Sequence, residues 1–266
     1  MKSLVRRLLM GIAPVWTTEW LSRRARAHSH RVVRGWGCAA LNEKLITHLG
    51  PTVQEGPFAG EILTPMASAE HLGPFLLGVY ESELDAAWDI VFRRTYPQIV
   101  DIGAKFGYYA VGLARRYPEA AVVAFDTDSW ARRATREMAA ANHVANIELR
   151  SFCGPEWLKS GLRPGAFVIS DCEGYEADLF SPDVAPHLCD TTLIIETHDG
   201  IVAGVTDRLR AIFAPTHDVR EFGVEASRRV SSRPLEFLSA QEAEFANREI
   251  RPPTQSWLLC VPRTRS

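Results

Sequence analysis

Four short apolar runs, each closed by a single acidic residue, constrain this chain more than any other feature. Gln98-Ile99-Val100-Asp101-Ile102 closes at Asp101 and Ala121-Val122-Val123-Ala124-Phe125 stops at Asp126. Ala166-Phe167-Val168-Ile169-Ser170 stops at Asp171 and Thr192-Leu193-Ile194-Ile195 at Glu196. The runs are continuous rather than alternating, which is the pattern of strands covered on both faces. Helical spacing fills the gaps. Leu84, Trp88 and Val91 mark a helix over 80–95, and further helices are predicted over 107–117 and 129–143, the last with Asp128 as N-cap. Pro97 and Pro118 stop two of them. Residues 147–152 add one more strand. Strands that alternate with helices predict βαβ units and a parallel sheet. Later, 207–213 reads as a helix and 217–222 as a sixth strand. Ser239-x-x-Glu242 reads as a capping box, and 256–261 as a final strand. That strand is expected to run antiparallel, as a hairpin-like return from the sixth.

The alternation begins only after about residue 70. Before it lie one or two helices and a loop, with Thr18 a candidate N-cap for a helix running from Glu19 into an arginine-rich stretch. Gly50, Pro51, Gly56, Pro57, Gly60 and Pro65 supply turn chemistry expected of a linker. Two parts are therefore predicted: a basic helical extension and linker over 1–70, and an α/β domain over 71–266. The basic side chains Lys2, Arg6, Arg7, Arg23, Arg24, Arg26, Arg31 and Arg34 face only Glu19 in the first 35 residues, although the whole chain has a net charge of −2. The expected form is a solvated amphipathic helix. A contact with anionic lipid, an acidic substrate or a partner is the alternative. Arg6 and Arg7 interrupt the opening apolar run, and no small-residue cleavage site follows, so a secretory leader is not expected. No apolar stretch reaches the length of a membrane span. The five cysteines form no CxxC pair and the histidines no HExxH, which argues against a disulfide framework or a structural zinc and for a reducing, cytoplasmic setting.

Asp101-Ile102-Gly103-Ala104-Lys105-Phe106-Gly107 stands where the first strand turns into its helix, the place where open α/β sheets bind ligands. Gly103, without a Cβ, is expected to let a ligand approach the backbone, and Gly107 to let the helix pack closely on the strand. Asp101 places a negative charge where a ligand amine would lie. Asp126, at the tip of the second strand, suits the two hydroxyls of a ribose. A nicotinamide site wants GxGxxG, with glycine where Lys105 stands. S-adenosylmethionine (SAM) has no pyrophosphate and does not need that glycine, so SAM is the cofactor favoured.

These residues, with Asp171-Cys172-Glu173-Gly174-Tyr175-Glu176 and Ile195-Glu196-Thr197-His198, make the chain resemble the FkbM-type class I SAM-dependent methyltransferases over roughly 78–200. The resemblance implies a Rossmann-like fold with a seven-stranded, mostly parallel sheet. It also implies methylation of a small-molecule or sugar hydroxyl. Glu81, Asp101, Gly103, Ala104, Gly107, Tyr108, Asp126 and Asp171 are then expected to hold the cofactor, with Glu81 reaching its amino group. His198 is expected as a base, and Asp171 or Glu173 as residues that orient the acceptor or bind the cationic cofactor. Glu176 reads as an acid in the first turn of a helix, and Glu196 as a partner for loop amides. The same acids and histidine also suit a divalent metal, but no metal is assigned from the sequence. Nucleic acid is not an expected acceptor, because the region after the basic segment is acidic and no N-P-P-Y occurs. A nicotinamide oxidoreductase and a binding protein without turnover are the alternatives. The oligomeric state is not legible.

Overall fold

The computed structural model describes residues 14–67, 71–223, 229–249 and 255–263. One seven-stranded sheet holds β1 (Gln98–Ile102), β2 (Ala121–Phe125), β3 (Ile147–Arg150), β4 (Phe167–Ser170), β5 (Thr192–His198), β6 (His217–Gly223) and β7 (Gln255–Pro262). Its order is β3-β2-β1-β4-β5-β7-β6. The first five strands pair in parallel, and β7 lies antiparallel between β5 and β6. This is the Rossmann-like class I methyltransferase fold. The order runs outward from β1 in both directions, so a crevice opens at the carboxyl ends of β1 and β4.

The helices are α1 (Pro14–Gly35), α2 (Cys38–Leu49), α3 (Gly73–Leu77), α4 (Asp85–Val91), α5 (Tyr108–Arg116), α6 (Ser129–Ala141), α7 (Pro155–Ser160), α8 (Glu176–Leu179), α9 (Val205–Phe213) and α10 (Ala240–Asn247). Successive strand residues point to opposite faces. Ile99, Val122, Phe167 and Ile194 enter one apolar core with Leu76, Trp88 and Phe106. Val100, Val123, Val168 and Ile195 enter a second with Leu179 and Phe213. β1, β2, β4 and β5 are buried from both sides, which explains their unbroken apolar runs, whereas β3 and β6 keep exposed positions.

Caps fall where side chains can reach amides. The Asp128 carboxylate accepts the Trp130 N–H at 2.9 Å and opens α6. Ser239 and Glu242 form the expected capping box on α10. Thr18 is not a cap, because α1 already starts at Pro14. The helix expected over 80–95 is broken. Glu81 takes a left-handed conformation (φ 50°), a 3-10 turn follows over Ser82–Leu84, and only then does α4 begin. Nor is the last strand a short hairpin return. The chain leaves the sheet, forms α10 against α3, and comes back to pair with β5 and β6. A Cβ on Gly73 of α3 would lie 2.3 Å from the Ala246 carbonyl oxygen, so the two helices meet at a glycine.

The glycine- and proline-rich segment is packed rather than loose. Val53, Phe58 and Leu63 share the first core with Trp88 and Tyr108. Phe58 meets both rings edge-on, and it sits over Gly112, where a Cβ would be 2.2 Å from its Cδ1. Of the basic residues before this segment, Lys2, Arg6 and Arg7 lie outside the described residues. Arg26 pairs with Asp128 at 2.6 Å and stands over the Trp130 ring, so α1 docks at the start of α6. Trp20 and Trp36 are exposed. No described helix is long and apolar enough to cross a membrane.

Candidate active site at the carboxyl edge of the sheet

Parallel strands bring the four run-ending acids to one edge. At the β1–β2 side, the Gly103 and Ala104 N–H groups both donate to the Phe125 carbonyl, at 2.8 and 3.0 Å. Asp126 then bridges the two strand tips. Its carboxylate accepts the Lys105 N–H and the Asp128 N–H, one on each oxygen and both at 2.8 Å. Each oxygen keeps a further lone pair. Burial pushes Asp126 up to about 6, against the pull of those two amides. Asp101 is 3% exposed, and its Oδ2 is buried without a hydrogen-bond partner. Burial, reinforced by the charges of Asp126 and Asp171, pushes Asp101 up to about 8.

The β4–β5 side is organised by Glu176, the first residue of α8 and fully buried. Its carboxylate accepts the Gly174 N–H at 2.8 Å and the His198 N–H at 2.9 Å, and lies 3.1 Å from His198 Nδ1. Burial opposes its charge, but the bonds from His198 hold its pKa below the ordinary glutamate value. His198 is thereby held with Nε2 facing three carboxylates: Glu196 at 3.5 Å, Asp171 at 3.6 Å and Glu173 at 3.6 Å. Burial works to lower the histidine's pKa, yet Glu176, Asp171 and Glu173 together raise it. Burial and the neighbouring acids, Asp171 first, push Glu196 well above the usual range.

Strain gathers around this crevice. Among the described residues, Glu81, Lys105, His143 and Glu173 are the non-glycine residues with left-handed φ. Lys105 and Glu173 follow the ends of β1 and β4, and Glu81 opens the turn before α4. Such backbone costs on the order of 1–3 kcal/mol per residue and persists where surrounding contacts impose it.

The residues expected to hold a cofactor are held here by protein contacts of their own. Gly103 (φ 93°) is required by protein, not only by a ligand: a Cβ there would lie 1.7 Å from the Asp171 carbonyl oxygen. Gly107 makes room for Thr135 of α6, whose Cγ2 would be 2.8 Å from a Cβ, rather than for the strand. Ala104 is buried in the turn. Tyr108 turns into the aromatic core, edge-on to Phe58 and Phe75. Glu81 is buried, accepts the Tyr109 hydroxyl, and gives its N–H to Glu249 at 2.6 Å. Glu249 was not expected at this edge. Glu176 is the first-turn acid expected and also holds His198, while Glu196, read as a partner for loop amides, faces His198. The repeat of acids in Asp171-x-Glu173-x-x-Glu176 is the sequence signal for that cluster.

No protein-family model and no curated protein matches the chain. Solved structures with a related chain trace include a candidate O-methyltransferase from Klebsiella pneumoniae, 14% identical, covering 84% of this chain and 97% of that one at a TM-score of 0.49. The O-methyltransferase TomG from Streptomyces achromogenes, solved with SAM, is 17% identical over 65% of this chain and 77% of its own, at 0.44. An rRNA methylase from Streptococcus thermophilus is 16% identical over 68% and 97%, at 0.45. The fold assignment rests on the strand order and pairings themselves.

Proposed function

We propose that this chain is a SAM-dependent methyltransferase that methylates a hydroxyl of a small molecule or sugar. The observation that carries the reading is the pair of unlike carboxylates at the β1 and β2 tips. Asp126 is held by two amides with acceptor capacity left for ribose hydroxyls. Asp101 turns a buried oxygen without a hydrogen-bond partner toward the same edge. One Glu81 carboxylate oxygen takes the Tyr109 hydroxyl, and its backbone N–H meets Glu249; Asp101, beside Asp126 at the strand tips, is the carboxylate for the cofactor's ammonium. The main chain from Gly103 to Gly107 forms the floor beside them.

When bound, SAM supplies a methyl group on a sulfonium centre. The chain's own part is to hold the acceptor oxygen in line with it and to take its proton. Asp171, Glu173 and His198, at the ends of β4 and β5, form the acceptor side. They orient the hydroxyl, and its proton leaves into this cluster. Three carboxylates around one imidazole repel a phosphate backbone, which favours a neutral or cationic acceptor over a nucleic acid.

The test is transfer of a labelled methyl group from SAM to a panel of hydroxylated small molecules and sugars, with RNA in parallel. Label in a hydroxyl compound is expected. Label in RNA alone overturns the acceptor assignment. SAM binding without transfer to any member of a broad panel favours a binding protein that keeps the fold.

A further inference from the structure

His198 carries an observation that methyl transfer alone does not explain. The ring is 1% exposed, and Nε2 is buried with no hydrogen-bond partner. The Nδ1 side is fixed by Glu176, which also takes the backbone N–H of the same residue. A histidine whose Nδ1–H donates to a carboxylate presents a lone pair at Nε2, the arrangement that orients imidazole ligands toward metals. Nε2 faces three carboxylates, with Glu196 Oε2 at 3.5 Å and Asp171 Oδ1 and Glu173 Oε2 at 3.6 Å, and a cation among them would take the place of the proton at Nε2. Asp171 Oδ1 is itself buried with no hydrogen-bond partner. One donor atom each from Asp171, Glu196 and His198 lie within 4.8 Å of one another.

We propose that Asp171, Glu196 and His198 form a divalent-cation site of the Mn²⁺ or Zn²⁺ class, which holds and activates the acceptor hydroxyl. Ligand bonds of about 2.0–2.2 Å place neighbouring donors roughly 3 Å apart, so the cluster needs only a small contraction around an ion. Imidazole together with carboxylates selects these ions over Ca²⁺ or Mg²⁺, which prefer oxygen alone.

The chemical role rests on the methyl-transfer reading. The acceptor oxygen enters an open position on the cation, which lowers the hydroxyl's pKa. Its proton passes to Glu173, which is largely exposed, and from there to water. The oxygen lone pair forms the O–CH₃ bond. The sulfonium sulfur keeps the electron pair of the broken S–CH₃ bond, and S-adenosylhomocysteine leaves. His198 then acts as a ligand and not as the base.

The experiment is titration of Mn²⁺ into chelator-treated full-length protein without SAM, followed by electron paramagnetic resonance, with SAM binding measured on the same samples. One Mn²⁺ per chain is expected, with pulsed spectra showing ¹⁴N coupling from one imidazole. Asp171→Asn and His198→Gln should each weaken Mn²⁺ at least tenfold, and Glu173→Gln by less than threefold, with SAM affinity within threefold of native throughout. Zn²⁺ should displace Mn²⁺, and Mg²⁺ should not at equal concentration. No stoichiometric Mn²⁺, or bound Mn²⁺ without ¹⁴N coupling, overturns the site. The native spectrum decides this even if a variant fails to fold. SAM binding without Mn²⁺ binding removes the cation and leaves the methyltransferase reading. Mn²⁺ binding without SAM binding does the reverse.

Discussion

Asp101 and Asp126 stand on one edge with different constraints, and both are accessible to measurement. In the proposed role, Asp126 accepts two ribose hydroxyls in its charged form. With its pKa near about 6, SAM affinity should fall by up to about tenfold per unit as pH drops below that value. Isothermal calorimetry between pH 5 and 8 checks this. Asp126→Ala should weaken SAM by about 1.5–3 kcal/mol at pH 8, the range for hydrogen bonds to a charged group. Asp101 differs in sign of consequence. Its folded-state pKa of about 8 lies above its ordinary 3.8, so the folded state binds the proton more tightly than the unfolded one. Stability is therefore greatest in acid and declines as pH rises from about 4 to about 8. Asp101→Asn removes that decline. Its unfolding free energy in chemical denaturation should match the native protein's near pH 4 and exceed it at pH 8, by on the order of a few kcal/mol at most. Native protein should also release close to one proton from Asp101 when the cationic cofactor binds at pH 7, read as a dependence of binding enthalpy on buffer ionisation. Gly103 gives the opposite lesson. Even Gly103→Ala places a Cβ against the Asp171 carbonyl with φ in the left-handed region. It should destabilise by about 3 kcal/mol or more in a thermal melt, rather than lose cofactor from an intact fold.

Elements were legible where local physics decides them. The buried strands show as apolar runs, and Asp128 and the Ser239–Glu242 pair mark helix starts through side chains that reach their own amides. What was illegible depends on distant partners. The fifth strand was expected to stop at residue 195, but β5 continues through Glu196, Thr197 and His198 because β7 pairs with them residue by residue. That extension fixes the candidate acceptor cluster, and its cause lies some sixty residues later. The short helices α3 and α7 were missed because each spans too few residues for a helical period. The linker expected over 50–65 is a packed turn segment because Phe58 finds Gly112 and Trp88. In α1 the basic charge is visible in the sequence, but its use is not: Arg26 reaches across to Asp128. Asp128→Ala removes both the α6 cap and this pair, and should cost about 1–2 kcal/mol. Arg26→Ala should cost less, at about 1 kcal/mol or below, and should expose α1 to limited proteolysis. Equal losses in chemical denaturation would mean that the cap contributes nothing.

At the scale of the whole molecule, the strand order makes the site. Residues from β1, β2, β4 and β5 lie far apart in sequence, and parallel pairing delivers their terminal acids to one edge. The β1–β2 side holds Asp126, bonded to two amides, and the buried carboxyl of Asp101, to which the proposed function assigns the ribose and the ammonium. The β4–β5 side offers a histidine held by Glu176 among three acids. That division predicts that cofactor affinity and acceptor chemistry separate by mutation: changes at Asp126 should alter SAM binding, and changes at Asp171 or His198 should leave it nearly intact. The most direct check on the whole account is a calorimetric titration of SAM into the native protein at pH 8, with NADH as comparator and Asp126→Ala alongside. The account predicts one SAM site with a dissociation constant in the micromolar range, about −8 kcal/mol, weakened at least tenfold in the variant, and no heat from NADH. Binding of NADH without SAM, or SAM affinity unchanged by Asp126→Ala, would contradict it.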